Sequence, residues 1–123
     1  NDVDTVTGVE TLSFDDGDIG VSSDSNGLVL TGDATGDDIT IVGSVPVTVL
    51  GADGDDDIVG GSGDDIIDGN AGADTITGGA GDDTIDGNLG NDTIEGGNQN
   101  DTIDGGTGDE HAREQYSHAP RAE

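Results

Sequence analysis

Apolar residues recur along this chain with a period of nine. Stepping back from Ile58, the apolar positions are Val49, then after one step of ten Ile39, and at nines again Leu30, Val21, Leu12 and Val3. Several have a second apolar residue two places away, namely Phe14, Ile19, Leu28, Ile41 and Val47. Apolar residues spaced by two among polar and β-branched neighbours are typical of strands with one buried face. The pattern predicts an all-β fold of many short strands.

Between Gly51 and Asp104 the period becomes an explicit repeat of six nonapeptides. They read GADGDDDIV, GGSGDDIID, GNAGADTIT, GGAGDDTID, GNLGNDTIE and GGNQNDTID. Position 1 is always Gly, position 6 Asp and position 8 Ile, and position 4 is Gly except at Gln99. In each unit six turn-forming residues precede a three-residue strand whose central Ile points inward. Two units predict one coil of a solenoid, and successive coils stack about 4.8 Å apart.

Residues 1–50 follow the same period with few of the turn glycines. We expect them to form degenerate, metal-free β-coils that cap the solenoid and continue it to Val3; a separate β-sandwich cap and a disordered arm are the alternatives. Residues 32–40 are transitional, with Asp37 and Ile39 on the consensus positions. Pro46 predicts one irregular turn, because proline cannot donate a ladder hydrogen bond.

The repeat ends soon after Asp104. A seventh unit begins at Gly105, but Glu110 replaces its Asp and Ala112 its Ile. Residues 51–109 are therefore predicted to form the regular roll and residues 110–123 a non-repeating tail.

The composition is extreme for a folded chain. Hydrophobic residues make up 28%, the net charge is −27, and there is one Phe, one Tyr and no Trp or Cys. Composition alone would indicate disorder. Because the carboxylates repel one another, this many of them can pack closely only when cations are bound. The acidity argues against nucleic acid or an anionic membrane as partner. No apolar stretch is long enough for a transmembrane helix or signal peptide, and the initial Asn suggests an excised segment.

The turns offer the ligands that calcium prefers. Calcium takes six to eight oxygen ligands from carboxylates, carbonyls and water, and glycine-rich turns expose carbonyls. Stacking aligns the position-6 aspartates in two columns, one along each edge of the roll. One column contains Asp56, Asp74 and Asp92, with Asp37 and Glu110 as imperfect end members, and the other contains Asp65, Asp83 and Asp101.

The nonapeptides resemble the RTX (repeats-in-toxin) hemolysin-type calcium-binding repeats, strongly over residues 51–109 and weakly over 32–40. The resemblance implies a right-handed parallel β-roll with two nonapeptides per coil. It also implies that each calcium is held between two stacked turns. The turn nearer the N-terminus supplies the carbonyls of positions 2 and 4 and its Asp, and the following turn supplies those of positions 1 and 3 and its own Asp.

Applied to this sequence, the resemblance implies about four to six calcium ions. Four sites would use Ala52, Gly54 and Asp56 with Gly69, Ala71 and Asp74; Asn70, Gly72 and Asp74 with Gly87, Leu89 and Asp92; Gly61, Gly63 and Asp65 with Gly78, Ala80 and Asp83; and Gly79, Gly81 and Asp83 with Gly96, Asn98 and Asp101. A fifth would use Asn88, Gly90 and Asp92 with Gly105 and Thr107, provided that Glu110 replaces Asp. A sixth, using Asp37, has Thr35 in place of glycine.

Aspartates outside position 6 are predicted to be solvent-facing charges rather than ligands: Asp53, Asp55, Asp57, Asp64, Asp68 and Asp82. His111, Ser117 and His118 are the only candidate catalytic side chains and lie outside the repeat, so we do not expect an enzyme. The resemblance implies an extracellular or cell-surface module that folds on binding calcium, as in type I secretion substrates. The alternative is a calcium-stabilised subunit or stalk of an extracellular assembly. Self-assembly and neighbouring domains of a larger secreted protein are the other partners expected.

Overall fold

The computed structural model describes residues 9–14, 20–24, 27–108 and 111–113, and the side chains of residues 27–108. The described residues form strands and turns, without a helix. The strands are β1 (Val9–Phe14), β2 (Gly20–Asp24), β3 (Gly27–Thr31), β4 (Asp38–Gly43), β5 (Val47–Leu50), β6 (Asp57–Gly61), β7 (Ile66–Asp68), β8 (Thr75–Ala80), β9 (Thr84–Asp86), β10 (Thr93–Asn98), β11 (Thr102–Asp104) and β12 (His111–Arg113). Accordingly, no helix able to cross a membrane is found in this part of the chain.

Alternate strands belong to alternate sheets. One sheet has the order β1-β4-β6-β8-β10-β12 and the other the order β11-β9-β7-β5-β3-β2. From β6 onward each strand pairs in parallel with the strand one coil away, so Ile58 lies beside Ile76 and Ile67 beside Ile85. This constant offset of two nonapeptides confirms the predicted parallel β-solenoid, which has about four turns.

The core is a double column of single side chains. In one sheet Ile39, Ile58, Ile76 and Ile94 are at most 1% exposed, and Val49, Ile67 and Ile85 are as deeply buried in the other. Full burial of such a side chain contributes about 1.5–3 kcal/mol. From β6 onward one inward isoleucine per strand fills the narrow space between the two sheets, which explains how a chain with 28% hydrophobic residues can form a core.

The N-terminal coils bury more apolar surface than the repeat does. Each of β3, β4 and β5 buries two side chains where a repeat strand buries one position-8 isoleucine. These pairs are Leu28 with Leu30, Ile39 with Ile41, and Val47 with Val49. The second residue of β3 and of β5 stands at position 6, the position that Asp occupies in the repeat.

The first two strands differ from the sequence prediction. β1 runs antiparallel to β4, and β2 runs antiparallel to β3, so the prediction of one continuous parallel coil is wrong for these strands. Only residues 25 and 26 separate β2 from β3, and so short a connection permits a hairpin but no parallel crossover. Val3 and Ile19 lie outside the described residues. The division of the chain at residues 50 and 109 stays a prediction.

Candidate metal centre

The turns stack along two edges of the solenoid. The first edge carries turns 32–37, 51–56, 69–74 and 87–92, followed by the described residues 105–108. The second edge carries turns 60–65, 78–83 and 96–101. Parallel bridges join position 3 of successive turns on the first edge, from Asp53 to Ala71, Leu89 and Thr107. On the second edge the ladder itself extends into the turns, with Gly79 beside Gly61 and Gly97.

The position-6 aspartates are buried in both columns. Asp56, Asp65, Asp74, Asp83 and Asp92 are at most 2% exposed, and Asp101 is 8% exposed. Removing a carboxylate from water is costly unless charge or hydrogen bonds compensate. The structure therefore brings together the six aspartates that the sequence singled out, in surroundings that demand partners for them.

One oxygen of each carboxylate has such a partner. Oδ1 accepts a hydrogen bond from the backbone N–H of the position-6 residue in the preceding turn of the same edge. Asp56 N–H donates to Asp74 at 2.9 Å, Asp65 N–H to Asp83 at 2.9 Å, and Asp74 N–H to Asp92 at 3.0 Å. At the N-terminal end of the second edge, Val47 N–H donates to Asp65 at 3.0 Å. These bonds fix each carboxylate between two turns.

The other oxygen of these carboxylates is buried without a hydrogen-bond partner. This holds for Oδ2 of Asp56, Asp65, Asp74, Asp83 and Asp92. Buried polar atoms are nearly always paired, so a recurring orphan oxygen points to a bound partner that is not part of the protein chain. A cation bound at the carboxylate supplies such a partner.

The position-1 glycines border the space that these oxygens face. A Cβ placed on Gly60 would lie 2.7 Å from Asp65 Oδ2 and 2.7 Å from the carbonyl oxygen of Gly78 in the following turn. A Cβ on Gly51, Gly78 or Gly87 would likewise come closer than 3.0 Å to an aspartate oxygen and to a carbonyl oxygen. Glycine keeps this space open, with a carboxylate oxygen and a carbonyl oxygen converging on it. Such oxygens are the ligands that calcium takes.

The protein surroundings of these aspartates oppose negative charge. Burial raises the pKa of Asp65 to about 7, and it raises the pKa of Asp74 and Asp83 to about 6. Neighbouring carboxylates of the same column add to each rise, whereas the backbone hydrogen bond lowers it. The pKa of Asp56 is raised for the same reasons. A bound cation reverses this balance by stabilising the ionised form.

Side chains alone are too few to bind a metal here. Within the described residues, no three His, Cys, Asp or Glu side chains form a group able to hold one. The RTX resemblance implies that backbone carbonyls supply the further ligands. On the first edge the carbonyls of Ala52 and Ala71 each accept an N–H from the adjacent turn. Because a carbonyl oxygen has a second lone pair, these hydrogen bonds do not prevent the same carbonyls from binding calcium. The ligand sets remain predictions.

The backbone of the turns has the conformation that glycine favours. Positions 2 and 4 of the first-edge turns have positive φ, as at Ala52 (84°), Gly54 (124°) and Asn70 (72°). Gln99 retains a φ of 86° although it replaces glycine. The substitution therefore leaves the course of its turn unchanged.

Asp37 lies in the first-edge column of aspartates, but the backbone of its turn differs from that of the repeat. It is 2% exposed, and its N–H donates to Asp56 Oδ1 at 2.8 Å. One of its own oxygens accepts the N–H of Asp33 at 2.9 Å, while Oδ1 is buried without a hydrogen-bond partner. Asp33 and Thr35, at positions 2 and 4, are not among the residues with positive φ. This turn shares the carboxylate of the repeat but not its backbone.

Sequence reasoning missed the role of the position-5 aspartates. Asp55, Asp64 and Asp82 are exposed, as expected of solvent-facing charges, yet each accepts a hydrogen bond from the following turn. Their recurrence at position 5 is the one trace of this role in the sequence, and it does not reveal the hydrogen bond. Asp68 is only half-buried and accepts a hydrogen bond from the side chain of Asn88.

Comparison with known proteins agrees with this geometry. The family model described as RTX calcium-binding nonapeptide repeat, in four copies, matches residues 50–85 and 77–109. No curated protein and no solved structure is similar enough to the chain to count as a match. The family is a structural calcium-binding module and not a catalytic one. Residues 50–109 of the chain therefore consist of RTX calcium-binding nonapeptide repeats, folded as a parallel β-solenoid.

Proposed function

We propose that this chain is an extracellular module that folds when calcium binds between its stacked turns. The observation that carries the proposal is the recurring orphan oxygen of the position-6 aspartates, which faces a space bordered by a carbonyl of the following turn. The four complete sites are those named from the RTX resemblance. Bound calcium supplies positive charge and accepts oxygen ligands from two turns at once.

The aspartates shared by two sites hold consecutive coils together. Asp74 belongs to the sites on both sides of its turn on the first edge, and Asp83 does so on the second. In each, Oδ1 is held by the preceding turn, so in the folded roll the carboxylate is fixed between the two sites that share it.

Folding and binding are coupled because the repeat has little else to stabilise it. Each repeat strand from β6 to β10 buries one isoleucine, and each turn buries a carboxylate whose pKa is raised by desolvation where a shift is resolved. With a net charge of −27, the cation-free chain also repels itself. Calcium neutralises the columns, and its binding free energy becomes folding free energy. Secretion into a calcium-rich medium would then trigger folding outside the cell.

A second function is assembly into an extracellular structure. The observation in its favour is the C-terminal edge of the second sheet, where β11 pairs only with β9 among the described strands and Ile103 is incompletely buried. Unpaired strand edges are templates for further pairing. Sizing of the calcium-loaded protein at several concentrations separates the two functions, since assembly requires growth with concentration.

Calcium titration followed by far-UV circular dichroism tests the main proposal. The spectrum should change from coil to β as calcium is added and revert with chelator. Asp83→Ala should raise the calcium concentration at the midpoint by about tenfold or more, since it removes a ligand from two sites. Asp57→Thr is the matched control, because Asp57 is exposed at position 7, where other units have Thr; its midpoint should stay within about twofold. A β spectrum that is unchanged in excess chelator would refute the proposal.

A further inference from the structure

We propose that Asp55 and Asp64 are positioning residues that orient, through a hydrogen bond, the carbonyl that the following turn offers to calcium. The inference rests on the proposed function and adds residues that are not themselves ligands. It comes from a second set of carboxylate hydrogen bonds, which run in the opposite direction to those of position 6.

The position-5 bonds reach toward the C-terminal end of the roll. Asp55 Oδ1 accepts the N–H of Ala73 at 2.8 Å, and Asp64 Oδ1 accepts the N–H of Asp82 at 2.9 Å. Each donor lies one coil later, at position 5 of the following turn. The position-6 bonds join the same turns the other way, from an N–H of the earlier turn to a carboxylate of the later one. Each of these two pairs of turns is thus joined by two oppositely directed bonds.

The donor N–H shares its peptide plane with a predicted calcium ligand. The N–H of Ala73 and the carbonyl of Gly72 belong to one peptide, and in a trans peptide the two groups point in opposite directions. When Asp55 holds the N–H toward the preceding turn, the Gly72 carbonyl must point toward the following one. The structure shows this direction, because the oxygen of Gly72 lies closer than 3.0 Å to a Cβ placed on Gly90.

The same relation recurs on the second edge. The N–H of Asp82, held by Asp64, shares its peptide with the carbonyl of Gly81. That carbonyl is a predicted ligand of the site completed by Gly96, Asn98 and Asp101.

Asp82 provides a control within the chain. It accepts the N–H of Asn100 at 3.1 Å, so its bond is structurally equivalent. The peptide that it fixes, however, carries the carbonyl of Gln99, which no predicted site uses. A merely structural role predicts the same effect at all three positions, whereas positioning of a ligand predicts an effect at Asp55 and Asp64 alone.

The test compares alanine with asparagine at each position, using calcium itself as the probe. Asparagine keeps an acceptor oxygen and occurs at position 5 in the chain as Asn100, so the ratio of the Ala to the Asn calcium dissociation constant isolates the hydrogen bond from the charge. Isothermal titration should give a ratio of about three to ten at residues 55 and 64 and about one at residue 82. A ratio near one at residues 55 and 64 would show that only charge matters and would overturn the inference. Equal ratios at all three positions would overturn it in favour of a structural role.

A measurement on the wild-type protein covers variants that fail to fold. In the calcium-loaded protein the amide protons of Ala73 and Asp82 should exchange with solvent much more slowly than in the unfolded chain, and rapid exchange at either would contradict the inference. Wild-type protein that binds no calcium would refute the proposed function and the inference together. Normal calcium binding without the expected ratios refutes the inference alone.

Discussion

The turns of this roll hold several residues in the left-handed backbone region. Four of these residues are not glycine: Ala52, Asn70, Asn88 and Gln99. For an L-residue this conformation costs about 1–2 kcal/mol, although asparagine tolerates it better than most. Gln99 has neither an asparagine side chain nor a predicted ligand role. Its φ of 86° is thus a cost imposed on the residue by the rest of the turn.

Gln99→Gly should therefore stabilise the calcium-loaded protein. Relief of the left-handed strain exceeds the entropy that glycine loses on folding, and the expected net gain is about 0.5–1 kcal/mol. Denaturant unfolding in saturating calcium measures it. Asn100→Gly, one residue later and without a positive φ, is the control and should destabilise by about as much. Loss of stability in both variants would contradict the role given to φ.

Single residues also show how far the sequence could predict the site. Asp83 and Ile85 were predictable as buried because strict recurrence at positions 6 and 8 places each beside its equivalent in the next coil. The hydrogen bond from the N–H of Asp82 to Asp64 was not predictable. Exposure and hydrogen bonding are separate properties, and only exposure follows from hydrophobic patterning. The pairing of one oxygen of Asp83 with Asp65 N–H depends likewise on atomic detail that spacing does not contain.

At the scale of elements, one column of side chains changes its chemistry along the roll. Position 6 of the second edge is Leu28, then Val47, and then Asp65 and its successors; Leu28 pairs with Val47, and Val47 N–H donates to Asp65. The coils before Asp65 fill this position with apolar bulk, and those after it with carboxylates. Stabilisation passes from hydrophobic burial to bound cations between two neighbouring turns.

Val47→Asp should for that reason be destabilising and beyond rescue by calcium. The preceding second-edge turn has Ile41 and Val45 where the repeat has glycine at positions 1 and 4, so a carboxylate there would be buried without the open space that glycine leaves in the repeat. We expect a loss of about 3 kcal/mol or more at neutral pH. Val47→Thr, which keeps the shape without the charge, should cost clearly less. Denaturant unfolding at two saturating calcium concentrations should give the same loss; one additional bound calcium in the Asp variant would refute the prediction.

Strand direction marks the limit of prediction at this scale. The period of nine correctly identified inward positions, such as Leu30, because alternation depends only on which face of a strand is buried. Parallel and antiparallel strands alternate alike, so the pattern at Val9–Phe14 and Gly20–Asp24 contained no information on direction. The exact repeats fixed direction, since identical turns of constant length can stack only as parallel coils.

For the whole molecule, the balance between protons and calcium decides the state of the roll. In the absence of calcium, the folded chain must bury carboxylates whose pKa is raised, to about 7 for Asp65 and about 6 for Asp74 and Asp83, from an ordinary 3.8. A folded-state pKa above the unfolded value means that the folded chain binds more protons in this range. The contribution to stability is complete below the unfolded pKa and is lost as pH rises through about 6–7.

The pH dependence of stability should consequently have opposite signs with and without calcium. In chelator, acidification from about pH 8 to about pH 5 should increase β structure and resistance to denaturant, because protons neutralise the columns in place of calcium. In limiting calcium the same acidification should weaken binding, because protons and calcium compete for the same carboxylates. Asp65→Asn should reduce the chelator effect, since it removes the group with the highest of these pKa values, whereas Asp57→Asn should leave it unchanged. Circular dichroism across this range in both solutions measures the two slopes, and stability that rises with pH in chelator would show that the buried carboxylates are not the groups that titrate.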